Sequence, residues 1–135
     1  MKLHTIALFG EAERGEYRTA YFFQNLAQLE ENLGNPPEES QGLHYAVQIL
    51  LYKYQLIYFK VHAEGFSLDD YHLGIRFLEQ SQLVKDLSAV FLPGVGDADV
   101  IHAITPLCHQ HNSILITTEK DLYDYLTSRI PSGQF

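Results

Sequence analysis

Ala89-Val90-Phe91-Leu92-Pro93-Gly94-Val95-Gly96-Asp97-Ala98-Asp99 opens as an apolar run, breaks at Pro93-Gly94 and passes into a helical pattern. The same succession of strand, turn and helix returns at Ser113-Ile114-Leu115-Ile116-Thr117-Thr118-Glu119-Lys120-Asp121. Two short apolar strands joined by a helix predict a parallel pair with a right-handed crossover. In such sheets ligands bind where strands end and helices begin. These two turns therefore mark the edge at which function is expected.

Working outward, Leu3 to Phe9 reads as a first strand, apolar enough to be central and covered on both faces. It ends at Gly10, and the charged loop Glu11-Ala12-Glu13-Arg14-Gly15-Glu16-Tyr17-Arg18 follows. From Thr19, the spacing of Phe22, Phe23, Leu26, Leu29 and Leu33 predicts a helix. Gly34 suits its C-terminal cap, and Asn35-Pro36-Pro37 stops it. Leu43, Ala46, Val47, Leu50, Leu51 and Tyr54 predict the buried face of a second helix. Gln55 to His62 reads as the second strand.

Ser67 can cap a third helix, with Asp70 three residues on. Leu68, Tyr71, Ile75, Leu78 and Leu83 supply its buried stripe. Gly74 inside it costs about 1 kcal/mol relative to Ala, which points to close packing there. Asp97 caps a fourth helix with Val100, Ile101, Ile104, Leu107 and Cys108 facing inward, and Thr105-Pro106 reads as a restart within it. Thr118 caps the last helix, with Leu122, Tyr125 and Leu126 buried.

The resulting order, β-α-α-β-α-β-α-β-α, predicts a three-layer α/β/α sandwich. Its sheet is four-stranded and mainly parallel, Rossmann-like and doubly wound. The expectation is a single α/β domain over residues 1–128, followed by a flexible C-terminal tail, 129–135. With strand order 2-1-3-4, the loops 10–18 and 93–99 would flank the switch-point crevice.

The chain has 135 residues, 46% of them hydrophobic, which suits one domain with its own core. Met1 to Phe9 is too short an apolar run for a signal peptide. No stretch approaches the roughly 20 apolar residues of a membrane helix. The expectation is a cytoplasmic protein with no membrane contact and an open oligomeric state. Cys108 is the only cysteine, so no intrachain disulfide forms, and its place on the apolar side of a helix predicts an inert thiol.

The formal charge is −8, and the bases are scattered apart from Arg14 and Arg18. Nucleic-acid binding usually shows as a basic stripe, and its absence speaks against such a partner. A small-molecule ligand or a protein partner is expected instead, and the acidic charge also suits a non-catalytic interaction or immunity module steering a basic partner.

The amides of Gly94 and Gly96 can approach an anion, while Asp97 and Asp99 serve the helix start as cap and dipole partners. In the charged loop, Arg14 or Arg18 can grip a carboxylate or phosphate through a planar fork. Equally, the loop can be held by its own weak ion pairs. The leading ligand-binding set is Glu11, Arg14, Arg18, Gly94, Gly96, Asp97, Thr118 and Lys120. In that reading the cations attract a small anionic group, nucleotide-like or phosphorylated, the loop amides hydrogen-bond it, and Asp97 orients a donor; no cofactor is required. Seven histidines show no HExxH spacing. His62, at the end of the second strand, is the candidate acid or base. Tyr17 and Tyr21 can line a cleft for an aromatic ligand.

Glu11, Glu13, Asp97, Asp99, Glu119 and Asp121 all follow strand ends. Converging carboxylates of this kind bind Mg²⁺ or Mn²⁺. Asp97-Ala98-Asp99-Val100-Ile101-His102-Ala103-Ile104 followed by Ile114-Leu115-Ile116-Thr117-Thr118-Glu119-Lys120-Asp121-Leu122 resembles the end of PIN-type nuclease domains. The resemblance implies a Mg- or Mn-dependent ribonuclease with Glu11, Asp97, Asp99 and Glu119 as metal ligands. The first strand departs from the family pattern, ending Leu8-Phe9-Gly10-Glu11 where an Asp stands within the strand. The pronounced strand directly before Asp97 departs from it as well.

Overall fold

Every residue of Thr5–Gly10 is buried, because this strand, β1, runs through the middle of the sheet. The computed structural model describes residues 4–128. Leu3, at the start of the first predicted strand, and the predicted tail 129–135 lie outside the described residues. After β1 come β2 (Ala20–Phe23), α1 (Leu26–Leu33), α2 (Gly42–Leu51) and β3 (Gln55–Lys60). The chain continues through α3 (Leu68–Gln80), β4 (Leu87–Phe91), α4 (Ala98–His111), β5 (Ile114–Ile116) and α5 (Glu119–Ser128).

The strand order is β2-β3-β1-β4-β5. β3, β1, β4 and β5 are mutually parallel, in the order predicted for four strands. β1 alternates between two cores. Ile6 and Leu8 join residues of α1, α2 and α5 on one face of the sheet. Ala7 and Phe9 join residues of α3 and α4 on the other. A strand covered on both faces has no polar side to show, which is why it reads as a continuous apolar run.

The fifth strand is the main correction. Ala20–Phe23 is not the first turn of a helix but an edge strand antiparallel to β3. Its period is two: Phe23 packs in the α1/α2/α5 core, while exposed Phe22 meets Phe77 of α3 edge-on at 6.3 Å. The helix starts only at Leu26, where Asn25 Oδ1 accepts the Gln28 amide at 2.9 Å and Gln28 Oε1 accepts the Gln24 amide at 2.7 Å. Those two bonds tie the cap and the residue before it to the third helical residue and fix the boundary.

Smaller departures have similarly local causes. Val47 and Leu51 are exposed, and Tyr45 and Ile49 are buried in their stead, so the inward face of α2 is turned from the predicted one. Leu83 is also exposed, since α3 ends at Gln80. Ser67 makes no side-chain cap; its hydroxyl donates to Ala63 O and accepts from the Ala63 amide. Helix α4 runs through Pro106 without a restart, and Thr105 donates back to Ile101 O. Pro106 and His102 are both exposed, so the bond that proline cannot make lies on the solvent side.

Gly74 is buried between two aromatic rings. A Cβ there would fall within 2.9 Å of Phe9 Cζ and 2.8 Å of Phe59 Cδ2, which is the close approach its helix position implied.

Candidate functional site

Four parallel strands place the loops after β1, β3, β4 and β5 at one rim. The loops after β3 and β4 touch there: Gly65, at φ +85°, leaves no room for a Cβ, which would lie 2.6 Å from Gly94 O. Gly94 itself adopts φ +77°. Both positions need a backbone that residues with a Cβ rarely adopt.

The charged loop after β1 is clamped along its whole length. The Arg14 amide donates to Leu33 O, and its guanidinium donates to Glu30 O at 2.8 Å, which ties the loop to the end of α1. Glu13 accepts the Asn35 amide, Gly15 O accepts from Lys60 Nζ, and the Glu16 amide donates to Tyr21 Oη. The Arg18 amide donates to Lys60 O at 2.8 Å. Ion pairing is a minor part of this; backbone hydrogen bonds do most of it.

Beside Glu11 the rim already holds a carboxylate of its own. Glu64 points its carboxylate at the start of α2, where Oε1 accepts the Gln41 amide and Oε2 the Gly42 amide, both at 2.8 Å. The Glu11 amide donates to the same Oε2 at 2.8 Å, and Glu11 Oε2 accepts the Glu64 amide at 2.9 Å in return. Tyr58 Oη donates to Glu11 O. Gly10 and Gly42 leave the carboxylate its space: a Cβ on Gly10 would lie 3.0 Å from Glu64 Oε2 and 2.9 Å from Gly42 Cα. Burial, then the Glu64 charge, holds the Tyr58 phenol well above its ordinary pKa. Tyr71, which accepts the Gly65 amide, is raised by burial and by Glu64, Glu11 and Asp70. Tyr45 is raised by burial and by Glu119 and Glu64. The phenols therefore stay protonated around an internal carboxylate, and a phosphate entering here would be repelled.

Positive charge collects one strand further out. Asp70, only 1% exposed, receives three donors. Arg18 Nε bonds Oδ1, while the His62 amide at 2.8 Å and His62 Nδ1 at 2.7 Å both reach Oδ2. Burial pushes the Asp70 carboxyl up, but the hydrogen bonds from His62 and Arg18 outweigh it and hold the group below its ordinary value. The His62 ring, half exposed, stacks on Tyr17 with centroids 3.8 Å apart and planes 15° from parallel. Lys60, buried, sets its ammonium 4.2 Å from the centroid of the same Tyr17 ring. That contact is a cation–π pair. Arg18 adopts φ +58°, unusual for a residue with a Cβ, and is held there by its amide bond to Lys60 O and its side-chain bond to Asp70. A groove of about 430 Å³ runs on from Arg18 between β2 and α3, with Phe59, Leu73 and Phe77 as apolar walls and Arg76 as a second cation. The opposite rim also carries a cavity, of about 490 Å³, but its polar lining is mainly the amides of Gln24, Gln28 and Gln55, with Lys85 next to Asp86.

Of the residues predicted from sequence, Arg18 and His62 come together. Glu11 belongs to the Glu64 crevice. Arg14 is taken up by α1, Asp97 Oδ1 caps α4 through the Asp99 and Val100 amides, and Thr118 Oγ1 accepts the Asp121 amide as the start of α5 predicts. Lys120 is exposed and pairs with Asp124 at 3.1 Å, which raises its pKa. Gly96 has no atom within 4 Å of where a Cβ would stand. Among the described residues, no three His, Cys, Asp or Glu side chains are grouped as a metal site, so Glu11, Asp97, Asp99 and Glu119 do not converge. Cys108 is half-buried, and burial pushes its thiol up.

Sequence reasoning missed Glu64, Lys60 and the role of Asp70. A signal existed for the last two. Lys60 interrupts an apolar strand, and Asp70 lies one helical turn before Gly74, on the stripe that Tyr71, Ile75 and Leu78 bury. No known protein family, curated protein or solved structure matches the chain. Among the described residues, no helix is long and apolar enough to cross a membrane.

Proposed function

We propose that this α/β domain binds a small anionic ligand, phosphorylated or nucleotide-like, at the C-terminal edge of its sheet. The contacting groups are Arg18, His62 and Tyr17, with Arg76 along the adjoining groove. The observation that carries the reading is that Asp70 holds Arg18 beside the exposed His62 ring, with Lys60 under the Tyr17 ring on which His62 stacks, in a chain of net charge −8. Asp70 spends its charge on fixing Arg18 Nε and His62 Nδ1. The outer NH groups of Arg18 make no hydrogen bond among the described residues and remain for a ligand oxygen. Tyr17, half-exposed but covered by the His62 ring and the Lys60 ammonium, offers its edge and hydroxyl, and the groove walls take an apolar portion.

Thermal denaturation against inorganic phosphate, nucleoside monophosphates and sugar phosphates tests the reading. A ligand that binds only the folded chain at about 100 times its Kd adds roughly 2.7 kcal/mol. That is a rise in Tm of several degrees for a domain of this size. Arg18→Gln and Arg76→Gln should shrink the rise, each measured against the variant's own unliganded Tm. No rise with any of the three classes refutes the reading.

A further inference from the structure

We infer that Nε2 of His62 is a nucleophile that takes a group from a small anion carrying an electrophilic carbon or phosphorus; this rests on the anion-binding reading above. Each oxygen of Asp70 accepts a hydrogen bond, Oδ1 from Arg18 and Oδ2 from both the amide and the ring of His62. An acceptor-only carboxylate requires the proton of the neutral imidazole to sit on Nδ1, which leaves the lone pair on Nε2. Nε2 makes no hydrogen bond among the described residues, and the ring is 50% exposed. Tyr17, stacked at 3.8 Å, holds the plane of the ring.

Arg18 is fixed to the other oxygen of the same carboxylate, so guanidinium and imidazole keep one spacing. An anion seated on the outer edge of Arg18 is thereby brought beside the imidazole. When Nε2 forms its bond to the electrophilic atom, the bond from that atom to its leaving group breaks, and the leaving group departs with the electron pair. The Nδ1 proton stays where it is. The positive charge that develops on the ring faces a carboxylate already in place, buried and needing no rearrangement.

Alkylation of the full chain with bromoacetate, followed by peptide mass spectrometry, tests this with the other six histidines as internal references. The expected result is carboxymethylation of His62 about tenfold faster than their mean, the order of gain that local charge gives to an approaching anion. Neutral bromoacetamide should still prefer His62, by a smaller factor. Asp70→Asn should remove the preference with both reagents, and Arg18→Gln only the additional advantage of bromoacetate. If Asp70→Asn does not fold, the seven-histidine comparison in the unaltered chain decides alone. His62 reacting no faster than the other six with either reagent overturns the inference. Selective reaction with bromoacetamide but no added preference for bromoacetate upholds the nucleophile and refutes the anion-binding reading.

Discussion

His62 reaches Asp70 twice, through its backbone amide at 2.8 Å and its ring Nδ1 at 2.7 Å, and both donors end on the same carboxylate oxygen. His62 follows β3, Asp70 lies in the first turn of α3, and Arg18, from the loop after β1, occupies the other oxygen. One buried carboxylate therefore joins three segments of the rim. An amide bond fixes the main chain, and a ring bond fixes the side chain that the main chain carries. The ring cannot turn away without taking one of three donors from a buried carboxylate.

Removing that carboxylate should be costly. Asp70→Ala leaves Arg18 without its partner and the His62 amide unpaired, and we expect a loss of about 2 kcal/mol in urea denaturation. Leu73→Ala, on the exposed side of the same helix, should change stability by less than half of that.

The stability of the domain should fall at both ends of the pH scale. The carboxyl of Asp70 is held below its ordinary value, so its contribution is complete above about pH 4 and is lost as pH falls toward the lower folded value. Tyr58 and Tyr71 have raised pKa values, so their contribution is complete below about pH 10 and is lost as pH rises further. Equilibrium denaturation across pH should show both declines, with Asp70→Asn flattening only the acid one.

Glu64 should behave as structure and not as ligand machinery. Glu64→Ala leaves the Glu11, Gln41 and Gly42 amides without their acceptor and should lower stability by about 2 kcal/mol. The Tm increment given by an anionic ligand, measured against the variant's own unliganded Tm, should be unchanged.

Gly74→Ala sets two effects in opposition. Helix propensity gains about 1 kcal/mol, but the new methyl meets the Phe9 and Phe59 rings in a filled core. Overpacking of this kind costs about 1–3 kcal/mol. We expect a net loss, read as a lower Tm by circular dichroism.

The inner parallel strands β3, β1 and β4 were legible because strands buried on both faces are near-continuous apolar runs, and the short edge strand β5 was legible from its apolar Ile114-Leu115-Ile116 before a capped helix. Strand β2 was hidden because Phe22 and Phe23 fall into helical spacing with Leu26, Leu29 and Leu33. Asn25 as a cap, with Gln28 three residues on, was the local sign that the helix starts later. Asp97 and Thr118 as caps were legible, since their partners stand two or three residues away. The site was not. Glu64 meets the Glu11 amide across 53 residues, and Arg18 meets Asp70 across 52. The place of Asp70 on the buried stripe of α3 was a local sign of burial, but its partners Arg18 and His62 show only in the assembled rim.

The most direct measurement is a titration of the ¹⁵N-labelled chain with adenosine monophosphate, following each backbone amide. Binding at the proposed surface predicts saturable shifts confined to Tyr17, Arg18, His62 and the Leu73–Phe77 side of α3, with Gln41, Gly42 and Gly94–Asp97 unmoved. Saturable shifts centred on the Glu64 crevice or the Gly94–Asp97 turn, with Arg18 and His62 still, would contradict it.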